Sequence, residues 1–191
     1  IVAKDKIMAL DLPEPKTMPK ELKAQYEAAK ERLGFVPNVL RGYAHAPERL
    51  ANFVAMRDGL MASESGLSKA EREMIAVVVS SLNRCHYCLA SHGATLRKLT
   101  GDPPLADTLA MNYRAAKLTE RQRAMLDFVE RLTQAPETID DTDRELLREA
   151  GFSERDIWDI AEITGFFNMT NRLAAATGLE PNREYYDLNR R

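Results

Sequence analysis

From Pro47 onward the apolar residues recur at helical spacing. Leu50, Phe53, Val54, Leu60 and Met61 share one face, and Pro47 suits the first position of the helix that carries them. Four later segments open with a capping signal. Ser68 is followed three residues on by Glu71, Thr119 by Gln122 and Thr142 by Glu145, and each pair predicts a capping box; Ser153 followed by Asp156 is an acidic variant of the same device. Helix stops are expected near Gly101, before Pro136, at Gly151 and at Gly178. The run Ile75-Ala76-Val77-Val78-Val79 is β-branched and could form a buried strand, but the Ser68 signal precedes it and neither Gly nor Pro bounds it. It therefore reads as a helix buried on nearly all sides. No other segment alternates with period two. The expected fold is all-α, a single multi-helix orthogonal bundle of roughly eight or nine helices.

The chain divides into three stretches. Residues 1–33 read as an N-terminal arm and a first helix: Leu10-Asp11-Leu12-Pro13-Glu14-Pro15 excludes regular helix, and Glu21 to Leu33 follows Pro19 as a helix closed by Gly34. Gly34-Phe35-Val36-Pro37-Asn38 reads as an extended connector, residues 34–178 as the main helical domain with halves at about 66–115 and 116–178, and residues 179–191 as a C-terminal tail. A faint echo links the halves, since Glu73 precedes Cys85-x-x-Cys88 by the same interval as Asp156 precedes Asn168-x-x-Asn171.

Composition removes whole classes of function. The 191 residues are 45% hydrophobic and 29% charged, as expected of a globular chain with a core. A net charge of −2, with Lys and Arg interspersed among Asp and Glu, leaves no footprint for nucleic acid. No apolar run approaches the roughly 18–20 residues of a membrane span. The sequence opens Ile1-Val2-Ala3 without Met, so its true start is expected upstream, and the segment present carries no signal-peptide pattern; a cytoplasmic location is the expectation. Two cysteines only three residues apart do not form a secreted scaffold and point instead to redox or metal chemistry in a reducing compartment.

The chemistry concentrates between Glu73 and His92. A thiol is a nucleophile only as thiolate, with an ordinary pKa of about 8.5. Three devices could lower it. A helix break at Leu82-Asn83-Arg84 would put both cysteines in the first turn of the next helix, at the positive end of its dipole. Arg84 adds a cation. His92, four residues after Cys88, shares its helix face with Cβ atoms about 5–6 Å apart and can move a proton to or from the thiol. Glu73 on the preceding helix is the candidate to orient that imidazole. Cys85 lies one turn before Cys88, close enough for a disulfide. One thiolate attacks an electrophile, a sulfenic acid forms, the neighbouring thiol condenses with it, and a dithiol donor resets the pair by exchange. The cycle needs no organic cofactor and no metal.

The pattern Glu73-x11-Cys85-x-x-Cys88-x3-His92 resembles the signature of the alkylhydroperoxidase D-like, or carboxymuconolactone decarboxylase-type, family, in its peroxidase-related branch. Gly34 to Asn38, the approach from Ser80-Ser81 to Cys85, Gly151-Phe152-Ser153 and Phe167-Asn168-Met169-Thr170-Asn171-Arg172 extend the likeness from about Leu33 to Gly178. The resemblance implies an all-helical fold, reduction of a hydroperoxide substrate and a homo-oligomer. It implies that Cys88 attacks, that Cys85 resolves, that His92 and Glu73 relay protons, and that the dithiol reductant is of the lipoylated-protein kind. Family members carry a second histidine immediately before the second cysteine; this chain has Tyr87 there, whose phenol is a poor base at neutral pH, and His86 one place earlier.

Other readings stand beside this one. The cysteines could be core filling. Cys85, Cys88 and His92, with His86 turned inward, could hold a structural zinc in an oligomer without peroxidase activity. The same fold could decarboxylate a γ-lactone acid, although that reaction does not need a thiol pair. His45 reads as a surface or packing residue. Asn168 and Asn171 read as helix-packing partners, Trp158 with Ile157, Ile160 and Ile163 as a core or subunit face, and Met56, Met61, Met74, Met111 and Met125 as mostly core. Asn189-Arg190-Arg191 reads as a solvated tail.

Overall fold

Helix signals in the sequence become helices wherever a side chain can satisfy the orphan backbone donors of a first turn. In the computed structural model, which describes residues 6–12 and 15–190, the Ser68 and Thr119 capping boxes close as expected. They start α4 (Lys69–Leu82) and α7 (Glu120–Gln134). The Ser153 pair also makes a full box, opening the long α9 (Glu154–Thr177). Its Asp156 does more than cap: Oδ1 accepts the Gly66 N–H at 2.7 Å, and a Cβ on Gly66 would stand 2.6 Å from the same carboxylate. Only glycine allows that approach.

The fourth cap differs from the sequence expectation. The helix α8 (Asp141–Glu149) is capped by Asp140, whose carboxylate accepts the N–H groups of Thr142 and Asp143, while Asp143 returns a bond to Asp140 N–H. Thr142 lies inside the helix. Aspartate is as good an N-cap as threonine, and Asp140 has the extended backbone that position needs.

The remaining elements are α1 (Lys20–Leu33), α2 (Asn38–Gly42), α3 (Pro47–Ala62), α5 (His86–Thr100), α6 (Pro103–Asn112) and α10 (Glu184–Asp187), with 3₁₀ turns at Tyr113–Ala115 and Pro136–Thr138. Among the described residues there are ten α-helices and no strand, so the fold is all-α. The count exceeds the sequence expectation because α2 and α10 are single turns without a periodic signature. The connector is extended only as far as Pro37; Asn38 already begins α2.

Helix α4 is the axis of the bundle, packed against α5, α6, α7 and α9. Its β-branched run is a helix despite its intrinsic preference. Ile75, Val77, Val78 and Val79 are each at most 1% exposed, and burying each contributes about 1.5–3 kcal/mol, far more than the propensity deficit.

Both ends of the described chain are tied to this bundle. Ala9 N–H donates to Thr177 O and Glu180 N–H to Ile7 O, both at 2.9 Å, with Met8 buried beneath. Pro13 and Glu14, on which part of the helix-breaking argument for the arm rests, lie outside the described residues. The C-terminal segment is not a solvated tail over its described part. The buried Arg97 donates to Leu188 O at 3.0 Å and Tyr185 O at 2.7 Å, Asn189 donates to Ala94 O at 3.1 Å, and Arg190 pairs with Asp107.

Two apolar groups are divided by exposure. Ile157, Ile160 and Ile163 are core, but Trp158 is 68% exposed and donates its indole N–H to Glu162. Met74 and Met125 are buried, whereas Met56 and Met111 lie on the surface. The echo between halves does not share one register: Asp156 occupies the box position of Glu71, not that of Glu73, and α9 runs unbroken through Asn168 and Asn171.

Candidate active site

The break between α4 and α5 positions both sulfurs. Cys85 N–H donates to Ser80 O and Arg84 N–H to Ser81 O, the paired bonds of a helix C-terminus closed by a left-handed residue. That residue is Arg84, at φ 53°. Its guanidinium is exposed and is not among the groups acting on either thiol, so Arg84 contributes a backbone turn and not the expected charge. Cys85 becomes the N-cap of α5 and Cys88 lies in its first turn, as the spacing implied.

Both cysteines are reduced, buried and hydrogen-bonded to each other. The Cys85 thiol is brought down to about 7, first by the hydrogen bond from Cys88, against its burial, then by backbone N–H groups of Cys88 and Tyr87 and by the charge of His92. Cys88 is pushed well above the ordinary range because it donates to Cys85 and is buried, while the side chains of Asn171 and Thr170 favour its ionised form. The pair thus behaves as one acid whose charge rests on Cys85. Thiol alkylation by iodoacetamide should therefore rise with pH through an inflection near 7, where an isolated cysteine inflects near about 8.5. His92→Ala should move that inflection upward; an unchanged profile would remove His92 from the electrostatics of the pair.

His92 Nδ1 stands 2.7 Å from Glu73 Oε2, with the ring packed edge-on against Phe167 at 4.6 Å between centroids. The carboxylate orients the imidazole as expected and leaves Nε2 for the cavity that His92 lines. Among the described residues no hydrogen bond joins His92 to a thiol, so in this resting arrangement it acts on the pair through charge. Tyr87 is buried. Its hydroxyl accepts the Val39 N–H at 3.0 Å and bonds to the Tyr185 hydroxyl, and burial raises its pKa well above the ordinary phenol value. It is a structural donor and not a base. His86 turns outward and pairs with the Tyr186 hydroxyl, away from the inward position a zinc ligand would need. Among the described residues no three His, Cys, Asp or Glu side chains are grouped to hold a metal ion.

A cavity of about 500 Å³ opens over this constellation, lined by Cys88, His92 and Glu73 but not by Cys85. Its other walls include Tyr87, Phe53, Phe166 and Phe167. Behind Cys88 lies an amide network in which the sequence reading saw helix packing and not contact with a thiol. Asn171 donates to Ser80 Oγ at 3.1 Å and accepts from Asn83 at 3.0 Å while reaching Cys88, and Asn83 also donates to Asn168 at 3.0 Å. The Asn168-x-x-Asn171 spacing was the available signal, since it puts both amides on one face of α9.

Comparison with known proteins agrees with this architecture. The model of the carboxymuconolactone decarboxylase family matches residues 47–131. The crystal structure of an uncharacterized peroxidase-related protein from Silicibacter sp. TM1040 is 54% identical over 100% of both chains, with a TM-score of 0.95. An alkylhydroperoxidase AhpD core protein from Ralstonia eutropha JMP134, also an uncharacterized peroxidase-related protein, is 41% identical over 98% of this chain and 99% of that one, with a TM-score of 0.94. The apo debrominase Bmp8 shares the fold at 19% identity, over 97% of each chain, with a TM-score of 0.75. Comparison with proteins of curated function finds no match. With its helical fold and its full-length likeness to peroxidase-related chains, the protein belongs to the carboxymuconolactone decarboxylase family, among its alkylhydroperoxidase D-like members.

Proposed function

We propose that the protein is a thiol-dependent peroxidase that reduces hydroperoxides through Cys88 and Cys85. The observation that carries this reading is a hydrogen-bonded dithiol at a helix N-terminus, one sulfur of which lines a cavity beside a Glu73–His92 pair.

The steps balance with these groups alone. His92 takes the proton that the thiol pair loses, and Glu73 steadies the imidazolium. The charge rests on Cys85, but the Cys88 proton can pass along the hydrogen bond between the sulfurs, which puts the thiolate on the cavity side. Cys88 Sγ attacks the distal oxygen of the hydroperoxide; the O–O bond breaks, and the alkoxide takes the proton from His92. Cys88 is now a sulfenic acid and the alcohol leaves. The Cys85 thiol gives its proton to His92 and attacks Cys88 Sγ. The S–O bond breaks, and the departing hydroxide takes that proton as water. One hydroperoxide has been reduced, two thiols oxidised to a disulfide, and an external dithiol, of the kind a lipoyl group supplies, returns the pair by exchange. Tyr87 takes no part in proton transfer, since burial keeps it neutral.

A single-turnover experiment tests the reading. Reduced protein given one equivalent of cumene hydroperoxide should lose two titratable thiols, form an intramolecular disulfide between Cys85 and Cys88 and release one equivalent of cumyl alcohol. Retention of both thiols while the hydroperoxide persists would overturn it. A homo-oligomer and a cytoplasmic location remain part of the proposal through the family likeness.

A further inference from the structure

The Glu73–His92 hydrogen bond fixes the register of α4 against α5. Helix α4 runs from Lys69 toward the thiol end and α5 returns from it, so Lys69, one turn before Glu73, lies level with the last turns of α5, which carry Lys98. Both lysines line the cavity. Lys98 follows Cys88 by ten residues, which along a helix axis is ~15 Å. Along this length α5 presents Cys88, His92, Thr95 and, just past Lys98, Leu99 to the cavity, the three- and four-residue steps of one helix face. The part of the cavity along α5 is therefore a channel, with the reacting sulfur at one end and the two lysines at the other. Its sides are apolar: α9 contributes Phe167 and Leu173, and α3 contributes Phe53 and Met61.

The charges in this channel are unequally matched. Arg57 is paired with Asp58 at 2.7 Å, and Glu73 with His92 at 2.7 Å. Among the described residues Lys69 and Lys98 make no ion pair; Arg32, also without one, lines the cavity beside Leu33 and Pro37 and acts on Tyr185, away from these two lysines. An apolar corridor with a nucleophile at one end and two unpaired ammonium groups at the other matches an alkyl chain with a carboxylate.

We infer that the site takes fatty-acid hydroperoxides, with the hydroperoxyl group at Cys88, the chain along α5 and the carboxylate between Lys69 and Lys98. The assignment of the hydroperoxyl end rests on the peroxidase reading; the assignment of the chain and the carboxylate does not. Lys69 and Lys98 are then specificity-determining residues for an anionic, apolar substrate.

Linoleic acid hydroperoxide and its methyl ester, compared with dithiothreitol as reductant, test the charge preference. At low ionic strength the acid should have a kcat/KM about fivefold above that of the ester, the order expected of two solvent-facing ion pairs. The ratio should shrink as salt is added and fall to one or below in Lys69→Glu/Lys98→Glu. Equal values for acid and ester at low salt, or a ratio untouched by the double charge reversal, would overturn the inference. A second measurement reads the channel without turnover: dodecanoate should slow alkylation of Cys88 more than methyl dodecanoate does. If dodecanoate protects and neither hydroperoxide is consumed, the channel assignment stands and the peroxidase reading fails; if the two compounds protect equally, the carboxylate assignment fails whatever the turnover.

Discussion

Cys88→Ser is expected to abolish hydroperoxide consumption with a dithiol donor, lowering the steady-state rate by a factor on the order of 10³ or more. Cys85→Ser should instead consume about one equivalent and stall with a sulfenic acid on Cys88, which dimedone captures and mass spectrometry locates. The asymmetry follows from the cavity. Cys88 lines it and Cys85 does not, so the first sulfur can meet an incoming peroxide and the second can reach only the first. The acidities pull the other way, since Cys85 holds the charge at rest. We assign attack to Cys88 because its high pKa has a removable cause. It is raised chiefly by donating to Cys85, and the same hydrogen bond lets the proton cross to Cys85 as the nucleophile commits. Asn171 and Thr170 then meet the negative sulfur. In Cys85→Ser the charged acceptor is gone, so Cys88 should ionise more readily than it does beside Cys85. A trapped sulfenic acid on Cys85 in the Cys88→Ser protein, formed at the wild-type rate, would reverse the two roles.

The parts of this site that lie within one stretch of chain were legible in the sequence, because helix geometry converts spacing into distance. Cys85, Cys88 and His92 needed only the α5 periodicity, and Glu73 needed only an antiparallel return across a short break. The all-helical fold was legible for the same reason: capping pairs and stops are local. Arg84 shows the limit of that reasoning. Proximity in sequence suggested a cation beside the thiols, but a left-handed residue ending α4 sends its side chain to solvent. Thr142 failed similarly, since two residues near one another could both cap α8 and only backbone conformation chose Asp140. The spacing put Asn168 and Asn171 on one face of a helix, but it did not show that Asn171 and Thr170 meet Cys88 or that phenyl rings wall the cavity. Asn171 and Thr170 come to Cys88 from α9, and where α9 docks depends on packing that no local pattern encodes. The C-terminal residues looked like a tail because their anchors, such as the Arg97 bonds to backbone carbonyls, are sequence-distant and invisible in composition.

That docking leads to the largest expected effect on stability, which lies outside the reacting groups. Arg72, beside Glu73 on α4, is 1% exposed, and its guanidinium donates to Ser63 O at 3.1 Å, to Ser65 Oγ at 2.6 Å and to Asp159 of α9 at 3.3 Å. Asp159 is buried too, so neither charge has water to fall back on. Asp159→Asn keeps the shape and removes the charge, leaving the guanidinium its bonds to Leu60 O, Ser63 O and Ser65 Oγ but no buried counter-charge. The expected loss is about 3–5 kcal/mol by urea unfolding, which for a chain of this size lowers Tm by roughly 10 °C. Arg155 also meets Asp159, at 3.0 Å, but its side chain is 63% exposed, and Arg155→Ala should lose less than about 1 kcal/mol. Replacing both members with apolar residues, Arg72→Met with Asp159→Leu, should recover much of the deficit, because the penalty lies in the unpaired charge and not in the absence of the pair. If Asp159→Asn unfolds within 1 kcal/mol of the wild type, the pair does not hold α9 on α4. If the loss is as large as expected, the docking of α9 on α4, which also brings Phe167 to His92 and Asn171 to Cys88, rests on an ion pair next to Glu73. Pocket chemistry and bundle stability would then share one hinge of packing.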